Sequence, residues 1–206
     1  MTVCMAQTPP QPRDFWNTVY EKETMKFRRD ASTFVQHAVE GRTTGRALDL
    51  GMGQGRNSLF LASQGWQVTG VDISNVAIAE AKATAAQAKL PLTTVQQSLD
   101  QFDIKEGQWN LIVLSYMQFW MARQSAAELA RIANGLAPGG LLVVEGFAAE
   151  DAPGGPTMGF QTNQLLRSFA ERLKVVEYQD SSIASDWKLG TKNRVMKLIA
   201  EMAKQP

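Results

Sequence analysis

Two tetrapeptides in this chain, Leu-Ile-Val-Leu (Leu111 to Leu114) and Leu-Leu-Val-Val (Leu141 to Val144), contain no polar residue. A strand with one wet face alternates apolar and polar residues. An unbroken run is buried on both faces, as in the middle of a parallel sheet covered by helices. Parallel neighbours need a crossover, and the segment between the runs supplies one. Leu129, Ile132, Ala133 and Leu136 recur at i, i+3, i+4, i+7. Ser125 and Glu128 form a capping box at the start of this helix, and Pro138-Gly139-Gly140 ends it.

The same alternation extends in both directions. Asp14 to Glu40 reads as helical, with Phe34, Val35, Ala38 and Val39 on one face. "RALDL" from Arg46 is a strand and "GRNSLFLASQ" a helix closed by Gly65. "WQVTGVD" is the second strand, followed by a helix that Ser74 caps, and "LTTVQQ" is the third strand. After a Gly/Pro-rich loop over residues 148–159, "TNQLLRSFAERL" reads as a helix, and "KVVEYQ" and "RVMKLIA" as two more strands. Seven strands interleaved with helices predict an α/β, Rossmann-like, doubly wound, mostly parallel sheet with an N-terminal helical extension.

A chain of 206 residues fits one such domain. The expected division is a flexible tail over 1–13 and a single domain over 14–206. Within the domain, 14–41 forms a helical cap, 46–147 the ligand-binding core, and 148–206 a substrate loop and the last strands. Lys and Arg number 21 against 20 Asp and Glu, so no global basic field gathers nucleic acid or anionic lipid. Cys4 is the only cysteine, which excludes an internal disulfide and any multi-thiolate metal site. No metal, nucleic acid or membrane is expected as a partner. The N-terminal residues lack the basic start and apolar core of a secretory signal, and a cytoplasmic location is expected.

The ligand class is written in "LDLGMGQGRNSLFLASQGWQVTGVDIS", Leu48 to Ser74. Gly51, Gly53 and Gly55 stand between a strand and a helix, where glycine permits tight turns and close approach of a ligand to the backbone. In an open α/β sheet that loop lies at the carboxyl ends of the strands, where ligands bind. Asp72 ends the next strand, where a carboxylate accepts the two hydroxyls of a ribose. The third glycine of the dinucleotide fingerprint G-x-G-x-x-G would fall on Arg56, so that match fails.

The spacing D-x-G-x-G-x-G from Asp49, with "GVDIS" and "LAPGG" following in order, resembles the class I S-adenosylmethionine-dependent methyltransferases over roughly Arg46 to Phe147. "GRNS" in the loop, and "GFQTNQLLRSFAERLKVVEYQD" downstream, look most like the tellurite-resistance-type small-molecule methyltransferases. The resemblance implies an antiparallel last strand, S-adenosyl-L-methionine as cofactor, and methyl transfer to a small nucleophile: a thiol, amine, hydroxyl or oxyanion. The chain departs from that group after Asp180, where a His-Arg pair proposed as catalytic is replaced by "SSIASDWKLG". The catalytic role and the tellurite substrate are therefore not carried over. An S-adenosylmethionine-binding protein without catalysis, or a nicotinamide-dependent oxidoreductase, are the alternative readings.

By the same resemblance, Gly51, Gly53 and Gly55 surround the methionine part and Asp49 fills the motif's acidic position. Asp72 holds the ribose and Ile73 packs on adenine. Ser98, Leu99 or Asp100 supplies a polar adenine contact, and Leu114 and Ser115 lie beside the transferring methyl. Asn57 and Tyr20, the latter in "FWNTVYEKE", are further cofactor candidates, with Arg56 beside Asn57. No catalytic residue is singled out. Glu145, Tyr116 and His37 are the acid–base candidates, His37 being expected on an exposed helix flank. Tyr116 and Trp120 are candidate pocket walls, and the loop over 148–159 suits a lid or substrate wall.

Overall fold

A computed structural model describes residues 12–23, 27–153, 155–184 and 192–204. Strands β1 (Arg46–Leu50), β2 (Gln67–Asp72), β3 (Leu92–Gln96), β4 (Trp109–Ser115), β5 (Leu136–Phe147), β6 (Lys174–Ala184) and β7 (Lys192–Glu201) form one sheet in the order β3-β2-β1-β4-β5-β7-β6. β1 to β5 pair in parallel, and β7 runs antiparallel to both β5 and β6. Seven strands, mostly parallel with an antiparallel last one, is the architecture expected from the sequence. The order reverses between β1 and β4, which opens a crevice at their carboxyl ends.

Helices cover both faces. On one, α5 (Gln118–Met121), α6 (Ala126–Asn134) and α7 (Gln164–Phe169) pack Trp120, Leu129, Ile132, Leu165 and Phe169 against Leu48, Ile112, Leu114, Leu142 and Val144. On the other, α2 (Thr33–Val39) and α3 (Arg56–Ser63) pack Phe34, Val35 and Leu61 against Ala47, Leu111, Val113, Leu141 and Val143. Successive residues of "LIVL" and "LLVV" thus serve opposite layers, and all eight are buried. Among the described residues no helix is long and apolar enough to cross a membrane.

Three boundaries differ from the sequence reading. The helix expected over Asp14–Glu40 is two: α1 (Pro12–Glu21), which starts inside the expected tail, and α2. Tertiary bonds at Ser32 override the local pattern. Its N–H donates to Asn57 Oδ1 (2.9 Å), while its hydroxyl accepts from Phe34 N–H (3.2 Å) and donates to Glu145. α6 has its capping box at Ser125/Glu128 but ends at Asn134, before the Pro-Gly-Gly. The carbonyls of Asn134 and Gly135 are taken by backbone N–H groups of Gly107, Gln108 and Trp109, so the chain turns into β5 early. Pro138 to Gly140 then lie within β5, where its register against β4 shifts. α7 is shorter than its apolar pattern: Asn163 at its N-cap takes a left-handed conformation, φ +59°, and at the other end the Arg172 and Leu173 N–H groups both turn back to Phe169 O.

The loop over 148–159 was expected as a lid or substrate wall. Its described residues hold two 3-10 turns, Ala149–Asp151 and Pro156–Met158, with Ala148, Ala149 and Ala152 buried and Phe160 buried just after it. Arg194 on β7 ties Glu150 of this loop to Asp180 of β6 (2.8 and 2.6 Å). The segment is packed against the sheet and does not border the cleft described next.

Candidate active site

The turn after β1 is built from backbone. Gly51 and Met52 N–H both donate to Val71 O (2.8 and 3.1 Å), and Gly55 N–H donates to Met52 O (2.9 Å). Gly51 and Gly53 sit at φ +78° and +54°, where any side chain is strained. The Gly53 N–H donates to Asp72 Oδ2 and the Ser74 N–H to Asp72 Oδ1, each at 2.8 Å. Asp72 therefore braces the glycine turn from the neighbouring strand while lining the cleft beside it. Burial pushes its carboxyl above the usual range, against the pull of backbone donors from Ser74, Gly53 and Ile73.

Asp49 is buried one strand earlier, with the Ser58 hydroxyl donating to its Oδ2 (2.7 Å). Desolvation dominates and pushes its pKa up to about 6, with Ser58 and Arg56 pulling the other way.

These groups floor a cleft of about 470 Å³, a size typical of small-molecule sites. Asp49, Gly51, Gly53, Asn57, Asp72, Ile73, Ser98, Leu99, Asp100, Ser115, Tyr20, Tyr116 and Trp120 all line it. Four candidates do not. Gly55 caps α3, where a Cβ would lie 3.0 Å from that of Ala81 on α4 (Asn75–Gln87). Leu114 points into the core with no exposure. His37 is exposed and pairs with Glu177 on β6 (3.0 Å). Glu145 lies beneath the cleft, bonded to Ser115 Oγ (2.6 Å) and Ser32 Oγ (2.8 Å).

The sequence reading named Tyr20, Tyr116 and Trp120 but missed Trp16, Phe27 and Phe119. α1 lies across α4, held by Asn17, which donates to Asn75 Oδ1 and accepts from the Ser74 hydroxyl (2.8 Å each). It brings Trp16 against Phe119 (5.4 Å between rings) and Tyr20 against Phe27 (5.3 Å), and all four rings line the cleft. The signal available was the i, i+4 pair Trp16/Tyr20, but its partners are distant in sequence. Burial, with Asp72 and Glu80 nearby, pushes the Tyr20 hydroxyl far up, so it stays protonated.

Comparison with known proteins bears on this geometry. A family model described as a methyltransferase domain matches residues 47–140, the span from β1 through the glycine turn into the first residues of β5. Through this domain the chain is related to S-adenosylmethionine-dependent methyltransferases. It is 26% identical over 139 residues to a probable S-adenosyl-L-methionine-dependent methyltransferase, TehB, of Haemophilus influenzae, covering 66% of this chain and 48% of that one. It is 27% identical over 149 residues to a protein named Hemagglutinin 1 of Eikenella corrodens, covering 71% and 50%. The crystal structure of TehB from Haemophilus influenzae matches at a TM-score of 0.71 with 20% identity, covering 92% of this chain and 67% of that one. The chain spans about half the length of these curated relatives.

The cofactor of this family is S-adenosylmethionine, and the methyltransferase cleft fits it on its own geometry. The Gly53 and Ser74 N–H groups take one Asp72 oxygen each, the Ile73 N–H also faces the carboxylate, and the remaining lone pairs suit vicinal hydroxyls. The turn at Gly51 and Gly53 presents bare backbone, and Ile73 and Leu99 offer apolar contact to a base.

Proposed function

We propose that this chain transfers a methyl group from S-adenosylmethionine to a small-molecule nucleophile. The observation that carries the reading is Asp72, a buried carboxylate that faces the cleft and is locked to Gly53 at the crevice between β1 and β4. Bound there, the cofactor supplies an electrophilic methyl on a sulfonium. The protein's tasks are alignment and exclusion of water. Gly51, Gly53 and Asp49 would hold the amino-acid end, Asp72 the ribose, and Ile73, Leu99 and Asp100 the base. Trp16, Tyr20, Phe27 and Phe119 close the cleft with apolar surface. Ser115 stands at the end of β4, where the acceptor would approach.

A cleft of this size and a near-neutral net charge favour a small acceptor over a nucleic acid. A single cysteine suits a cytoplasmic protein. The test is calorimetry with S-adenosylmethionine, S-adenosylhomocysteine and NAD, followed by radiolabelled methyl transfer into a small-molecule extract. Binding of the first two and labelling of a small molecule is expected. Binding of NAD alone would overturn the reading. Cofactor binding with no label in any extract would favour a non-catalytic binder.

A further inference from the structure

We propose that Arg56 is the docking group for the acceptor, and that the acceptor carries a carboxylate. This inference rests on the methyl-transfer reading above and adds the acceptor's chemistry to it. Arg56 is the first residue of α3 and lines the cleft. A cation in the first turn works against the helix dipole, at a cost of about 0.3–1 kcal/mol in exposed settings. The surroundings nevertheless hold it in one place. Its Nη2 donates to Ser115 Oγ (3.1 Å), its Nη1 reaches Asp30 O (3.5 Å), and its guanidinium lies over the Tyr116 ring (5.6 Å).

Glu145 supplies the counter-charge without filling the fork. Its Oε1 is 3.7 Å from Arg56 Nη2, beyond hydrogen-bond range. Both its oxygens are engaged at shorter distance by the hydroxyls of Ser115 (2.6 Å) and Ser32 (2.8 Å). The guanidinium carries five N–H donors, and among the described residues its Nε has no hydrogen-bond partner. The Arg56 side chain keeps 17% exposure against 1% for Glu145, so the cleft sees the cation and not the anion behind it.

The Ser115 hydroxyl proton is committed to Glu145, so the Ser115 oxygen accepts from Arg56 and offers nothing to an anion. What remains at this end of the cleft is a positioned planar donor fork. Such a fork matches a carboxylate in bidentate fashion. The neighbouring cations favour a monoanion over a phosphate dianion. Arg28 is already paired with Asp30 (3.4 Å), and Arg29 with Glu80.

The test uses the full chain saturated with S-adenosylhomocysteine and titrated by ligand-observed NMR with acetate, benzoate, benzamide, benzylamine and inorganic phosphate. Either carboxylate should bind at least roughly tenfold more tightly than benzamide or benzylamine, the scale of one charge-assisted pair. Arg56→Gln should erase that preference while S-adenosylhomocysteine affinity stays within about threefold, and Arg56→Lys should restore part of it. Three results would overturn the assignment: neither carboxylate binding, phosphate or the amine binding as tightly, or the preference surviving in Arg56→Gln. Failure of S-adenosylhomocysteine itself to bind would instead strike the cofactor reading, and this inference with it.

Discussion

The Ser115 hydroxyl donates a 2.6 Å hydrogen bond to Glu145 Oε1, joining the cleft wall at the end of β4 to a buried carboxylate on β5. Ser32 reaches the other oxygen from the start of α2, and Arg56 faces the same carboxylate from α3. One buried charge therefore ties four elements together. Glu145→Leu would strand two hydroxyls and a largely buried cation, and should cost about 3–5 kcal/mol, as for a buried pair broken from one side. Glu145→Gln keeps an acceptor and should cost nearer 1–2 kcal/mol. Urea unfolding measures both, and equal stability of Glu145→Leu and wild type would refute the role.

Asp49 gives the stability a pH dependence. Burial raises its folded pKa to about 6 from the ordinary 3.8, so the folded state binds the extra proton between those pH values. Stability should fall as pH rises through this window and then stay lowered above it, by roughly 3 kcal/mol. Asp49→Asn keeps an acceptor for Ser58 and removes the charge. It should raise the urea midpoint at pH 7.5 and leave it nearly unchanged near pH 4. A variant equally shifted at both pH values would mean that charge burial is not the cause.

What was legible in the sequence was local. "LIVL" and "LLVV" predict the sheet centre because burial on both faces leaves its mark on consecutive residues. The glycine turn and Asp72 are legible for a similar reason, since strand-turn-helix geometry dictates their spacing. Ser125/Glu128 reads as a cap and is one. Non-local contacts were not legible. Nothing near Ser32 announces that Asn57 and Glu145 will break the helix there. Nothing near Trp16 announces Phe119. Glu145, read as a group at the ligand edge, is one layer below it, because the Ser115 register partner covers it. The loop over 148–159 has a lid's composition, yet Arg194 pairs with its Glu150 and none of its described residues lines the cleft.

Asp72 does two jobs, and substitution should separate them. Asp72→Ala removes the ribose acceptor and also the brace on the Gly53 and Ser74 N–H groups. S-adenosylhomocysteine affinity should drop by about 1.5–3 kcal/mol, roughly 10- to 150-fold in Kd. Asp72→Asn keeps an oxygen for one of the two N–H groups and should fall between wild type and Asp72→Ala. Calorimetry reads both, and unchanged affinity in Asp72→Ala would remove the ribose assignment.

Asn17 is the hinge pin of the cleft wall. α1 contributes Trp16 and Tyr20 to the lining, and its side-chain bonds to α4 run through Asn17 to Asn75 and Ser74. Ser74 also donates its N–H to Asp72 Oδ1, so the second of these bonds runs beside the proposed ribose contact. Asn17→Ala removes two hydrogen bonds of about 1 kcal/mol each and should loosen α1 without unfolding the sheet. Amide exchange across residues 12–21 should speed up by roughly tenfold or more, and S-adenosylhomocysteine should dissociate several-fold faster with little change in association. Stopped-flow release and exchange mass spectrometry measure the two effects. Faster exchange with unchanged release would mean that α1 walls the cleft without retaining what it holds.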